Sequence, residues 1–200
     1  METLNSIFSR RSIRRFSSEA IPKDLIEIIL KAGISAPSPK NRQTWHFLVF
    51  TGEHKKDVID IILQGTINES ENNTYLPKSV KFLSGAFYTI ETMKKAPVII
   101  FVYDPDGKSP YELLNTEERF FEMSNIQSIG ASLQNMSIAA TDLGIGSLWI
   151  CDIYFAYNEL VKYLNIDGQL VACMAFGFSE ESPKLRPRKD LEKVVTWNIK

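Results

Sequence analysis

The sequence predicts an α+β fold. Segments with helical periodicity outnumber strand-like runs, and those runs are not regularly interleaved with helices, as a parallel sheet with crossover helices would require. One run, Pro97 to Tyr103, is apolar on both faces and belongs in the middle of a sheet. With 200 residues, 44% hydrophobic and 11% aromatic, and only ten glycines, the chain reads as one globular domain over 1–200 with a substantial core.

The elements follow in order. Leu4, Ile7 and Phe8 make residues 3–9 a short amphipathic helix. Pro22 opens a second helix, in which Leu25, Ile26, Ile28, Ile29 and Ala32 form the apolar face and Gly33 lies near the end. Residues 35–43, with two prolines and several amides and hydroxyls, read as an ordered loop. Trp45 to Phe50 has strand composition, and Lys55 to Leu63 returns to helical spacing. From Gln64 to Tyr75 the chain turns polar and is predicted as a surface loop or lid, while residues 80–93 are ambiguous. Asp104-Pro105-Asp106-Gly107 closes the central strand with a turn.

Glu118 to Leu143 forms the longest predicted helix, with Ile126, Ile129, Leu133, Met136, Ala140 and Leu143 on one face and Gly144 as its stop. Its many small residues would let another helix approach, so it is expected to be nearly buried, in the core or at a subunit interface. Residues 147–153 and 169–178 read as strands, 158–164 as a helix, and 179–200 as a polar arm whose Val194 to Trp197 could add a strand. Trp149 and Trp197 are expected to anchor the core or an interface.

Charge and composition exclude several classes. The 23 basic and 24 acidic residues nearly cancel, which argues against a nucleic-acid binder that uses its whole surface. The amino-terminal stretch lacks a secretory pattern and no run is long enough to span a membrane, so a cytoplasmic protein is expected. Cys151 and Cys173 lie in separate apolar runs, and His46 and His54 are the only histidines. This gives no metal cluster and no motif for a nucleophilic triad. Gly144-Ile145-Gly146 follows a helix and has Trp149 where a dinucleotide fingerprint needs its third glycine.

Three polar clusters remain: Arg10 to Arg14, Pro37 to Gln43, and Arg186 to Lys189. Arginine forks suit phosphate oxygens, and without a phosphate-binding loop, phosphate would have to be held by such separated arginines. Each cluster alone is also compatible with a solvated surface or a polyanion patch.

Together, RRSIRRF, APSPKNRQTWHF, LGIGSLWICDI and GFSEESPKLRPRKDLEKVVTW resemble the nitroreductase family of FMN-dependent NAD(P)H oxidoreductases over nearly the full length. The resemblance implies an α/β/α sandwich with a central, mostly antiparallel sheet, in an intertwined homodimer with exchanged C-terminal arms. FMN would lie at the interface. Arg10 and Ser12 then resemble phosphate ligands, Arg14 the cation facing the pyrimidine edge of the flavin, and Arg11 an adjacent contact. Pro37, Ser38 and Asn41 resemble the partner's loop bordering the ring, and Gln43 the amide near it. Cys151 and Asp152 would place main chain near flavin N5. Arg186 and Arg188 match the C-terminal phosphate pair, with Lys189 as the competing assignment. Pro39 departs from the pattern, where a second serine is common, as does the Cys151-Asp152 pair where a glycine is usual. Residues 64–95 match nothing and would shape the substrate pocket.

The function implied is hydride transfer from NADH or NADPH to FMN, then reduction of a nitroaromatic, quinone or similar acceptor by a ping-pong route with no obligatory side-chain acid or base. The alternatives are a reductive dehalogenase or dehydrogenase of the same family, or a non-enzymatic flavin store or redox sensor.

Overall fold

A computed structural model describes residues 3–72 and 75–198. Four strands form one antiparallel sheet in the order β1 (His46–Thr51), β2 (Val98–Asp104), β4 (Gln169–Gly177), β3 (Gly146–Ile150). The doubly apolar run is central, as its pattern predicts. Val98, Ile100 and Val102 of β2 pack on one face with α2 (Lys23–Ile34) and α5 (Thr116–Asp142), while Ile99 and Phe101 pack on the other with α3 (His54–Asn72), α4 (Leu83–Lys95) and α6 (Tyr157–Tyr163). Strand residues alternate between faces, so β2 feeds two cores and the fold is an α/β/α sandwich.

Helix α5 begins with a capping box: Asn115 Oδ1 accepts from Glu118 N at 3.0 Å and Glu118 Oε2 accepts from Asn115 N at 2.9 Å. Its stop is as predicted, since Gly144 takes φ +75°, a left-handed conformation costly for other residues. Burial is only partial. Ile129, Leu133, Met136 and Ala140 are enclosed against α2, whereas Phe120, Phe121 and Met123 near the amino-terminal end are exposed.

The polar stretch after Leu63 is not a loop. Helix α3 runs on to Asn72, because Gly65, Thr66 and Glu69 continue the buried face set by Val58, Ile59 and Ile62. The face is there at helical spacing, but its later members are small or polar and leave no hydropathy signal. A Cβ on Gly65 would lie 2.5 Å from that of Ala156, so the glycine permits close packing. Glu69 turns its buried carboxylate to the backbone N–H groups of Tyr75 and Leu76, at 3.0 and 2.6 Å. Positions 73 and 74 of that stretch lie outside the described residues. The ambiguous segment 80–93 resolves as a 3₁₀ turn, Pro77–Phe82, followed by α4.

The arm differs from expectation within one chain. Val194 to Trp197 forms no strand; Leu191–Lys193 makes a single 3₁₀ turn, and Trp197 is 77% exposed. Helix α1 (Thr3–Ser9) forms as predicted, yet Leu4, Ile7 and Phe8 face solvent. A strand needs a neighbour to take its hydrogen bonds and an amphipathic helix needs one to take its apolar face; a single chain supplies neither here. Trp149 is likewise 41% exposed. Among the described residues, no helix is long and apolar enough to cross a membrane.

Candidate active site

The arginine stretch Arg10 to Phe16 is held between the edge strand β3 and the chain leaving β4. Ile13 N donates to Ser147 O at 2.9 Å, Ser17 N to Phe178 O at 2.9 Å, and Glu180 N to Arg15 O at 3.0 Å. Ile13 and Phe16 enter the core, which leaves the polar side chains between them directed outward. The C-terminal arm folds along the same side. Arg10, Arg11, Arg14, Lys184, Arg186 and Arg188 thus line one cleft of about 360 Å³, together with Ser12 and Tyr88. Two of the three sequence clusters therefore meet.

Among the described residues, Glu181 is the only carboxylate lining the cleft, and the backbone has taken it up. Its Oε1 accepts from Arg14 N at 2.5 Å and Arg15 N at 3.2 Å, and Oε2 lies 3.7 Å from Arg15 Nε. It fixes the course of the stretch and neutralises little of the guanidinium charge. Arg11 is partly spent as well: its Nη1 donates to Phe8 O at 2.7 Å and Arg10 O at 2.8 Å, closing the end of α1, while its buried Nε has no protein partner. Arg15 is exposed but is tied to Glu181 and to Glu180 O. A cleft with this excess of guanidinium groups is suited to a dianionic phosphate, and the residues present fit a phosphomonoester without a metal.

The third cluster lies elsewhere. Pro37, Ser38, Asn41 and Gln43 line neither this cleft nor the cavity described below. Their loop leans on α5, where Arg42 Nη2 donates to Ser124 Oγ at 2.8 Å and the Arg42 guanidinium stacks 4.9 Å from the centre of the Phe121 ring. Lys40, Asn41 and Gln43 all have φ near +50°, and Ser38 Oγ holds the turn by accepting from Gln43 N at 3.0 Å. Three strained non-glycine residues in one loop mark a shape that the surroundings over-determine. Pro39 starts its 3₁₀ turn, a position that needs no N–H. Pro37, Asn41 and Gln43 point to solvent.

Cys151 and Asp152 open onto a separate cavity of about 760 Å³. Its walls are mainly aromatic and aliphatic, with Phe82, Tyr111, Tyr154, Phe155 and Tyr157 prominent. Asp152 Oδ2 accepts from Thr89 Oγ1 at 2.6 Å, so α4 touches both sites: Tyr88 lines the cleft and Thr89 steadies the cavity. Desolvation of the sulfur and the neighbouring Asp152 push the Cys151 thiol above its ordinary range, which makes it a poor nucleophile at neutral pH.

The sequence profile of the nitroreductase family matches residues 7–178. The chain belongs to the nitroreductase family. It is 32% identical over 151 residues to an Archaeoglobus fulgidus protein with the provisional name NADH dehydrogenase/NAD(P)H nitroreductase, a match covering 74% of this chain and 67% of the relative. An NADPH-flavin oxidoreductase of Vibrio harveyi is 22% identical over 98% of this chain and 73% of its own length. Among solved structures, a provisionally named nitroreductase of Desulfovibrio desulfuricans in complex with FMN matches with TM-score 0.74 and 27% identity, over 100% of this chain and 98% of that one. A BluB-like flavoprotein from Clostridium difficile matches with TM-score 0.80 and 25% identity over the whole of both chains.

Within this nitroreductase chain, three polar lining residues escaped the sequence reading: Tyr88, Lys184 and Glu181. Nothing local separates Glu181 from other surface acids. Its role comes from the chain reversal after β4, which places it 167 residues from the backbone it holds.

Proposed function

We propose that this nitroreductase binds FMN, takes hydride from NADH or NADPH, and reduces nitroaromatic, quinone or similar acceptors in a ping-pong cycle. The observation that carries the proposal is the convergence of Arg10, Arg11, Arg14, Arg186 and Arg188 on one cleft in which the carboxylate of Glu181 is committed to the backbone. Arg10, Ser12, Arg186 and Arg188 would hold the phosphate. Arg188 lines the cleft and Lys189 does not, which favours Arg188 over its neighbour.

Bound flavin supplies the two-electron chemistry. The chain's own part is to hold, orient and tune it. Arg14 would set a guanidinium against the pyrimidine edge and favour the negative charge of the reduced ring. Cys151 and Asp152 would bring main chain to the other edge of the ring.

The working unit would be a homodimer with exchanged arms, built from one domain over 1–200 and residing in the cytoplasm. Leu4, Ile7 and Phe8 on α1, Phe120 and Phe121 on α5, and Trp197 on the arm are exposed apolar groups that a second copy would cover. The outward loop Pro37 to Gln43 would then reach the partner's flavin.

An absorbance spectrum of purified protein, before and after anaerobic NADH or NADPH, tests cofactor and donor together. A flavin spectrum that bleaches is expected. Colourless protein that gains no flavin spectrum with added FMN would refute the proposal, and bound FMN that neither nucleotide bleaches would leave a flavin store. Arg14→Ala should slow flavin reduction more than it weakens FMN retention, and Arg188→Ala the reverse; equal effects on both would remove this division of roles.

A further inference from the structure

The aromatic cavity is the electrostatic opposite of the basic cleft. Among the described residues no basic side chain lines it, and its one charged lining residue is Asp152, steadied by the Thr89 hydroxyl at 2.6 Å. Two more carboxylates stand directly behind lining residues. Glu69, itself 1% exposed, accepts from the backbone N–H of Leu76 at 2.6 Å, and Glu122 accepts from Gln169 Nε2 at 3.0 Å. Among the described residues none of these three carboxylates lies in an ion pair, so their charge is not cancelled locally.

The walls suit positive charge in a second way. Tyr111, Tyr154 and Tyr157 line the cavity and touch in series, with ring centres 5.9 Å apart between Tyr111 and Tyr157 and 6.4 Å apart between Tyr154 and Tyr157. Tyr75 extends the series, 5.4 Å from Tyr111. The Tyr154 hydroxyl is spent on the Val171 carbonyl, which leaves its ring as the surface on offer. An aromatic face carries negative potential and attracts a cation within about 6 Å of its centre. Phe82, another lining residue, already holds one: the exposed Lys81 ammonium lies 5.1 Å from its ring centre. The acidic surroundings also reach the tyrosines. Burial first, and then Tyr75, Glu69 and Glu159, push the Tyr111 phenol up, and no basic group opposes them.

We infer that this cavity receives a flat N-alkylated aromatic cation, of the pyridinium or quinolinium type, and turns away aromatic carboxylates. Such a ring spreads its charge and carries no N–H that would have to find an acceptor against an aromatic wall, so little hydration is lost when it enters. An aromatic carboxylate would lose its water, meet three carboxylates and gain no basic partner. As a statement about binding, the inference stands on the cavity alone; as a statement about the substrate, it rests on the proposed oxidoreductase. The required charge occurs both in a cationic electron acceptor and in the oxidised nicotinamide that the donor leaves behind.

Calorimetric titration of protein saturated with FMN, at neutral pH, with N-methylquinolinium, quinoline and 2-naphthoate tests the inference. The three probes share a two-ring shape and differ in charge. N-methylquinolinium should bind about tenfold more tightly than neutral quinoline, and 2-naphthoate at least tenfold more weakly than quinoline. Asp152→Asn keeps an oxygen for the Thr89 hydroxyl and removes the charge. It should weaken N-methylquinolinium about fivefold, leave quinoline unchanged and improve 2-naphthoate. Tyr111→Leu, at a half-exposed position that the fold tolerates, should also weaken the cation more than quinoline. The inference is overturned if the cation binds no better than quinoline, if 2-naphthoate binds as well as either, if the preference for the cation survives both variants, or if none of the three binds. Inhibition by the oxidised nicotinamide nucleotide separates the two sources: inhibition that weakens in Asp152→Asn together with the probe identifies the spent donor, and unchanged inhibition identifies a cationic acceptor. Calorimetry needs no electron transfer. The charge preference in protein whose flavin no nucleotide bleaches would sink the oxidoreductase reading alone, and its absence from active protein would sink the pocket alone.

Discussion

The basic cleft and the aromatic cavity share α4 and little else. The cleft is built from two short stretches, Arg10 to Arg14 and Lys184 to Arg188, whose charges stand side by side in the sequence. The cavity is assembled from residues scattered between Leu76 and Val171, each ordinary in its own neighbourhood. One site works by long-range charge on half-exposed side chains. The other works by contact, with a few polar atoms held out of water. Charge announces itself before folding, whereas contact exists only after it.

The largest expected effect separates the two sites directly. Arg188→Ala should weaken FMN retention by about 10- to 100-fold, because one charge-assisted hydrogen bond contributes about 1.5–3 kcal/mol. Fluorescence titration with free FMN measures it, and an unchanged affinity would remove Arg188 from the phosphate site.

Glu181→Ala should come next. Two backbone N–H groups lose their acceptor, and about 1–3 kcal/mol of stability with them, which for a chain of this size lowers Tm by about 2–4 °C per kcal/mol. FMN retention should fall in the same variant, since the arginine stretch loses its anchor. Unchanged thermal denaturation would contradict the positioning role.

Gly65→Ala is the counterpart for the cavity. The added methyl would collide with Ala156, on the turn that carries Tyr154 to Tyr157, and overpacking costs about 1–3 kcal/mol. Thermal denaturation should register the change, with FMN retention altered less.

The smallest effects are those of pH. A phosphomonoester dianion takes up one proton near pH 6, so FMN retention should weaken as pH falls below about 6. Burial keeps the Tyr157 proton in place until about pH 12. The sign of the stability effect follows: between its ordinary value of 10.0 and about 12 the folded state holds a proton that the unfolded chain has released, so this contribution is complete below pH 10 and is lost as pH rises through that window. Chemical denaturation at pH 9 and 11 checks it.

Much of the fold could be read in advance where the pattern is local. The doubly apolar β2, the capped α5 and the stop at Gly144 behave as their residues indicate. The reading failed where a partner decides. Residues 65–69 are helical because Gly65 meets Ala156 and Glu69 meets the backbone beyond the helix, contacts invisible in a polar stretch. Residues 194–197 have strand composition but no neighbour to pair with inside one chain.

By itself, the sequence determined most of the elements, the α+β class and the existence of concentrated positive charge, because periodicity and charge are properties of neighbouring residues. Only the tertiary structure decided that Arg10 to Arg14 and the arm share one cleft while the Pro37 loop does not, that Glu181 is taken up by backbone, and that Gln169 Oε1 is buried without a hydrogen-bond partner. Those facts depend on which distant surfaces are pressed together and on which polar atoms lose water in the process, and burial of that kind is settled by packing.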